Sequence, residues 1–225
     1  MNWKSIATSC PDLVEAICTL NHNVANTMHR DHWPEIPGPV FLERLLDEPR
    51  SRRYVNRYVL EVCGLNSSGF WEFEPRPRRL ALLSEAEIHS IGLFAGAAIL
   101  SPEIARTIDG QQIRQFIQAI GERIYEFAVK QAPFFQGVPA MTSDPNVSSQ
   151  KLEVRVKSAG RTCLAACLVE EPAELMKRLD FKLPKDFALT STALELSIEE
   201  KERCWGFVHR FVLREAIPER LTWFI

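Results

Sequence analysis

Apolar positions along the chain recur mostly at spacings of three and four, the period of a helix with one buried face. The clearest run is Ile113, Phe116, Ile117, Ile120, Ile124, Phe127 and Ala128, which predicts one helix from Gly110 to Gln131. It ends before Pro133, because a proline pushes the preceding residue out of helical geometry; a Pro- and Gly-bearing loop, 132–146, follows. Shorter amphipathic patterns predict helices over 11–21, 40–46 and 52–62, with corners at the Trp33-Pro34-Glu35-Ile36-Pro37-Gly38-Pro39 stretch and at Pro49. Helix starts are marked at Ser84, Asp109 and Ser197, each followed three residues on by Glu or Gln, and at Ser101-Pro102 and Glu171-Pro172. Lys151 to Lys157 alternates like a strand, yet Leu152, Val156, Ala159, Cys163 and Ala166 continue one helical stripe, and a helix through Leu168 is predicted. A short helix over 172–179 follows. A last one over 198–215 carries Cys204, Trp205, Val208, Phe211 and Val212 inward. The expected fold class is all-α, a single irregular multi-helix domain over 1–225. The aromatic and Pro/Arg-rich stretch at 70–79 has no helical period and reads as a short extended or β segment, placing a seam at 64–83.

Composition keeps that picture and narrows the function classes. With 225 residues, 46% hydrophobic and 25% charged, the chain is neither disordered nor low-complexity. A chain of this size buries about 70% of its unfolded surface without needing staples. Its 27 Lys+Arg against 29 Asp+Glu leave a net charge of -2, so nucleic acid or anionic lipid would have to be met by a local patch. Six cysteines are scattered singly, the pattern of free thiols in a reducing compartment. The opening residues show no basic segment followed by an apolar stretch. The longest near-apolar run, Ile91 to Leu100, is about half of the roughly 20 residues a membrane-spanning helix needs. A soluble, cytoplasmic protein is expected.

Candidate chemistry is sparse. Cys18, His22, His29 and His32 offer N and S ligands and define a metal-dependent enzyme as one alternative, but they lack the tight Cys-x-x-Cys spacing of zinc modules. Cys163 and Cys167 share a helix face and read as small core residues. Local signatures of a nucleophile with its base are absent, so no catalytic residue, metal or cofactor is expected. Gly92 and Gly96 lack the Lys-Ser or Lys-Thr pair of a phosphate loop and predict two helices in close approach. Two basic runs remain: Arg50, Arg52 and Arg53, then Arg76, Arg78 and Arg79 beside Phe70, Trp71 and Phe73. Guanidinium groups among aromatics suit stacking on nucleic acid, a second alternative using 70–79, and suit protein interfaces. With Glu72 and Glu74 inside the run, protein contact is the preferred reading. Candidate interface anchors are Trp33, Trp71, Arg76 and Arg78, then Trp223 and Phe224, each also compatible with a core position.

Three stretches carry a family resemblance. Ile91-Gly92-Leu93-Phe94-Ala95-Gly96 leads on to Gln112-Ile113-Arg114-Gln115-Phe116-Ile117; Ser158 to Ala166 is a small-residue helix; and Pro172 precedes Lys177-Arg178-Leu179-Asp180-Phe181-Lys182-Leu183-Pro184. In order and spacing these resemble the type III secretion sorting-platform K proteins, the SctK/YscK family, over about 82–225. The first eighty residues match in length and helical character. The resemblance implies a non-enzymatic cytoplasmic adaptor of a bacterial injectisome, without cofactor. Its implied partners are the cytoplasmic domain of the inner-membrane ring protein, the C-ring-like pod protein of SctQ type and the ATPase regulator of SctL type. No nucleic acid is implied, and the membrane is met only through the ring.

Overall fold

The computed structural model describes residues 10–65, 68–139, 150–187, 189 and 197–225. Every regular element among them is helical. In chain order the α-helices are α1 (Pro11–His22), α2 (Val24–Thr27), α3 (Pro39–Asp47), α4 (Arg52–Val62), α5 (Glu85–Ile99), α6 (Ser101–Arg106), α7 (Gly110–Ile120) and α8 (Glu122–Lys130). They continue as α9 (Leu152–Cys167), α10 (Ala173–Lys182), α11 (Ile198–Phe207) and α12 (Leu213–Ala216). Short 3-10 pieces accompany them, including Arg30–Glu35, Arg76–Leu82, Ala132–Phe134 and Pro218–Phe224. The expected loop after Ala132 thus opens with a 3-10 turn, and its part beyond Pro139 lies outside the described residues.

The chain divides into two compact units. One joins Met1–Glu85 to Glu170–Ser191, and the other joins Ala86–Val169 to Thr192–Ile225. In the first, α1 buries Leu13, Ile17 and Leu20 at helical spacing, with Pro11 placed where its missing N–H costs nothing. A core of Val24, Met28, Trp33, Leu42, Val55 and Leu60 gathers α2, α3 and α4. Two buried asparagines fix the irregular joints. Asn56 accepts from the Ala25 N–H at 2.8 Å and donates to Asn26 Oδ1 at 2.9 Å. Asn21 accepts from the Phe70 N–H and donates to the Phe70 carbonyl, both at 2.7 Å, as a neighbouring strand would. The expected extended or β segment forms no strand among the described residues: 70–74 carry no regular structure, and Phe70 is pinned to the end of α1. From Arg76 the chain winds into the 3-10 turn, with Pro77 near the start where it tolerates the missing donor.

In the second unit α5 and α9 cross at glycines. A Cβ on Gly96 would stand 1.9 Å from the Val156 carbonyl oxygen, and one on Gly160 would stand 1.8 Å from that of Gly92. The close approach expected at Gly92 and Gly96 is what these small residues provide. The single helix expected over 110–131 is two helices. Gly121, at φ 94° and ψ 147°, closes α7 through its N–H to Ile117 O at 2.8 Å and opens α8 by accepting from Tyr125 N at 3.2 Å. That conformation is open to glycine alone, so the apolar stripe continues while the backbone turns. The final helix also departs from regularity: five residues, Val208–Val212, form a π-helical turn, and the inward set becomes Cys204, Phe207, Val208, Val212 and Leu213. The extra residue per turn rotates the apolar face, so Phe207 and Leu213 join the core that Trp205 and Phe211 only partly enter.

Candidate protein-contact surface

The six anchors expected from sequence separate into two groups. Trp33 is buried in the first core, and Trp223 and Phe224 are 2% and 1% exposed. The last turn of the chain, 218–224, folds back so that Phe224 O meets His209 Nε2 at 3.0 Å and the Arg220 guanidinium lies 4.5 Å above the Trp223 ring. All three aromatics are core residues, Trp33 beside Pro34 in the first unit and Trp223 and Phe224 in the 218–224 segment of the second. Trp71 and Arg76 lie at the surface. Trp71 Nε1 donates to Ser68 O at 2.6 Å, with its ring 5.8 Å from that of His22. Arg78 is mostly covered: its Nε pairs with Glu171 at 2.5 Å and its Nη1 donates to the Glu72 carbonyl at 3.0 Å, tying the 3-10 turn to the chain two residues before α10.

The histidines expected to ligate under the metal reading serve separate tasks. His32 Nε2 meets Leu183 O at 2.9 Å, and its ring packs edge-on against Phe181. His29 Nδ1 accepts from the Asp31 N–H, and His22 lies beside Trp71. Among the described residues no group of three or more His, Cys, Asp or Glu side chains could hold a metal ion. Cys163 and Cys167 are buried as expected, with Cys204. The Cys163 thiol is raised well above its ordinary range, first by its hydrogen bond with Cys167; that of Cys204 is raised by its hydrogen bond with Cys163 and by burial. These groups stay protonated and unreactive.

The Lys177 to Pro184 stretch turns out to be architectural. Arg178 is 1% exposed, its Nη1 near the carbonyls of Leu20 and Asn21 at 3.3 and 3.4 Å and its Nη2 on Glu174 at 2.9 Å. One turn later Lys182 Nζ donates to Ala81 O and Leu83 O at 2.9 and 2.5 Å. Two cations at i, i+4 on α10 thus satisfy the last carbonyls of α1 and of the 76–82 turn, where the partial charge is negative.

The larger exposed surface was not among the expected anchors. On α4, Tyr54, Tyr58 and Val62 form an i, i+4, i+8 row that is outside the core, while Val55, Val59 and Leu60 form the buried row. Val40 and Phe41 at the start of α3 are exposed as well. The Arg53 guanidinium sits 4.6 Å from the Tyr54 ring centroid and donates to its hydroxyl, and Arg57 Nε pairs with Glu61 at 3.1 Å. The signal was present in the sequence: a helix with apolar residues on two faces has one more face than a single core can bury. Guanidinium groups beside tyrosines supply contact area with directional donors, the composition of protein interfaces.

No helix among the described residues is long and apolar enough to cross a membrane. A protein-family model described as YOP proteins translocation protein K (YscK) matches residues 18–219. No curated protein and no solved structure matches the chain. The match takes in both units, including residues 18–81, where the sequence resemblance rested on length and helical character alone. It also spans the Gly96–Gly160 crossing and the two buried cations of α10, so the packing devices that hold each unit belong to the matched region. The chain belongs to the YscK family of type III secretion proteins.

Proposed function

We propose that this protein is a non-enzymatic adaptor of a type III secretion sorting platform. It links the cytoplasmic domain of the inner-membrane ring protein to the C-ring-like pod protein, with the ATPase regulator as a further neighbour, and works at the cytoplasmic side of the membrane through the ring. The observation that carries this reading is the family match across residues 18–219, because it ties both units to secretion. The exposed Tyr54, Tyr58 and Val62 row on α4, outside the core, supports a role exercised through contact. An adaptor needs a rigid helical body and a few surface anchors, and binding then comes from those anchors within a polar rim.

Deletion of the gene in its host tests the proposal. Secretion of the system's substrates is expected to stop and to return on complementation, and the ring and pod proteins are expected to co-purify with the tagged chain. Normal secretion in the deletion strain would overturn the reading.

A further inference from the structure

The first unit carries a groove of about 590 Å³ between the end of α1 and the exposed flank of α4. Arg52, Arg53 and Arg57 line it on the α4 side, His22 on the α1 side, and Leu60 and Leu65, 5% and 6% exposed, lie at its floor. Its carboxylate, Glu61, is already engaged by Arg57. Three guanidinium groups against one carboxylate give this flank a local excess of +2 in a chain whose net charge is -2.

Two of the arginines carry a contact through Nε. Arg52 Nε donates to Leu46 O at 2.9 Å and Arg57 Nε to Glu61 at 3.1 Å. Neither arginine's terminal Nη1 and Nη2 atoms meet an acceptor among the described residues. A guanidinium engaged at its Nε and open at its Nη edge can still take a carboxylate, which accepts two parallel N–H donors from that edge. We propose that this groove docks an acidic segment of a protein partner, with carboxylates on the Nη edges of Arg52 and Arg57 and an apolar side chain over Leu60 and Leu65. The proposal rests on the adaptor reading above and names one of its contact sites. A nucleic acid fits less well: Glu61 faces its phosphates and the floor is aliphatic, with no aromatic side chain other than His22 lining the groove for bases to stack on.

The test titrates the purified ring-protein cytoplasmic domain and the purified pod protein against the full chain, its R52E/R57E variant and an R114E control on α7. The exposed positions keep the variants folded, which circular dichroism checks. One of the two partners is expected to lose about thirtyfold or more in affinity with R52E/R57E and less than about twofold with R114E. Hydrogen exchange on that partner should show a protected segment with more Asp and Glu than Lys and Arg. Unchanged binding by R52E/R57E, an equal loss with R114E, or a protected segment that is neutral or basic overturns the site while leaving the adaptor reading standing. Binding of neither partner by the unaltered chain overturns both. Retention of a labelled DNA or RNA oligonucleotide that is lost in R52E/R57E would assign the groove to nucleic acid and overturn the proposal.

Discussion

Gly96 and Gly160 show how much a single missing Cβ decides. Each added methyl would fall within 2 Å of a carbonyl oxygen on the opposing helix, and backbone cannot step aside as a side chain can. Gly160→Ala is therefore expected to lower stability by about 3 kcal/mol, at the upper end of overpacking costs, because α5 and α9 must separate along their length. Gly206→Ala is the contrast. Its nearest neighbour is the exposed end of Arg210 at 3.1 Å, which can swing away, and helix propensity favours alanine by up to about 1 kcal/mol. Urea denaturation of the two variants checks this; equal losses would show that the crossing is looser than its geometry indicates. At the same scale Arg178 and Lys182 are charges that fold inward because helix-end carbonyls need donors, and a basic residue in sequence gives no hint of which side it will face.

At the scale of the element, α11 has the best-defined start. Ser197 Oγ accepts from the Glu200 N–H at 3.3 Å, while the Glu200 carboxylate accepts from the Ser197 N–H at 2.8 Å and from its hydroxyl at 2.9 Å. Those two hydrogen bonds, the backbone one first, hold the Glu200 carboxyl below the usual glutamate range. A carboxyl lowered by folding stabilises the fold above its unfolded pKa of about 4.3 and gives that contribution up as pH falls through the folded value. Ser197→Ala should cost about 1 kcal/mol at neutral pH. The cost should shrink at a pH below the folded value, where the protonated Glu200 no longer draws on the serine hydroxyl in the parent protein. Denaturation curves at the two pH values measure it, and the same loss at both would rule out the carboxylate's part. Elsewhere along the chain, element boundaries were set by glycine and register. Gly121 splits a continuous apolar stripe into α7 and α8, and around the π turn at Val208–Val212 the buried set takes Phe207 and Leu213 in place of Trp205 and Phe211.

For the whole molecule, the first unit is not continuous in sequence. Residues 1–85 lack α10, which returns from position 173 to bury Leu175 and Leu179 and to place Arg178 and Lys182 under the ends of α1 and of the 76–82 turn. Two buried leucines alone are worth about 3–6 kcal/mol, a large share of the 5–15 kcal/mol that holds a typical domain together. A fragment of residues 1–85 is thus expected to show helical signal without a cooperative thermal transition. Linking residues 170–191 to it should restore the transition. Cooperative melting of the shorter fragment would mean that α10 is an accessory to that core and not a part of it.

Periodicity alone established the helical class and most of the helices, since a 3.6-residue repeat of apolar side chains reports directly which face will be buried. It carried the ambiguous stretch after Lys151 correctly, because the stripe persisted well beyond the strand-like alternation at its start. Small residues four apart likewise announced a close helix crossing before the crossing was seen. The arginine run at 50–53 was visible, but which arginines face a groove and which aromatics face a core depends on neighbours distant in the chain. Trp33, Trp223 and Phe224 went inward and Tyr54, Tyr58 and Val62 remained outside it, although local pattern treats all six alike. Burial is a property of what packs against a side chain, and only the tertiary structure decides that.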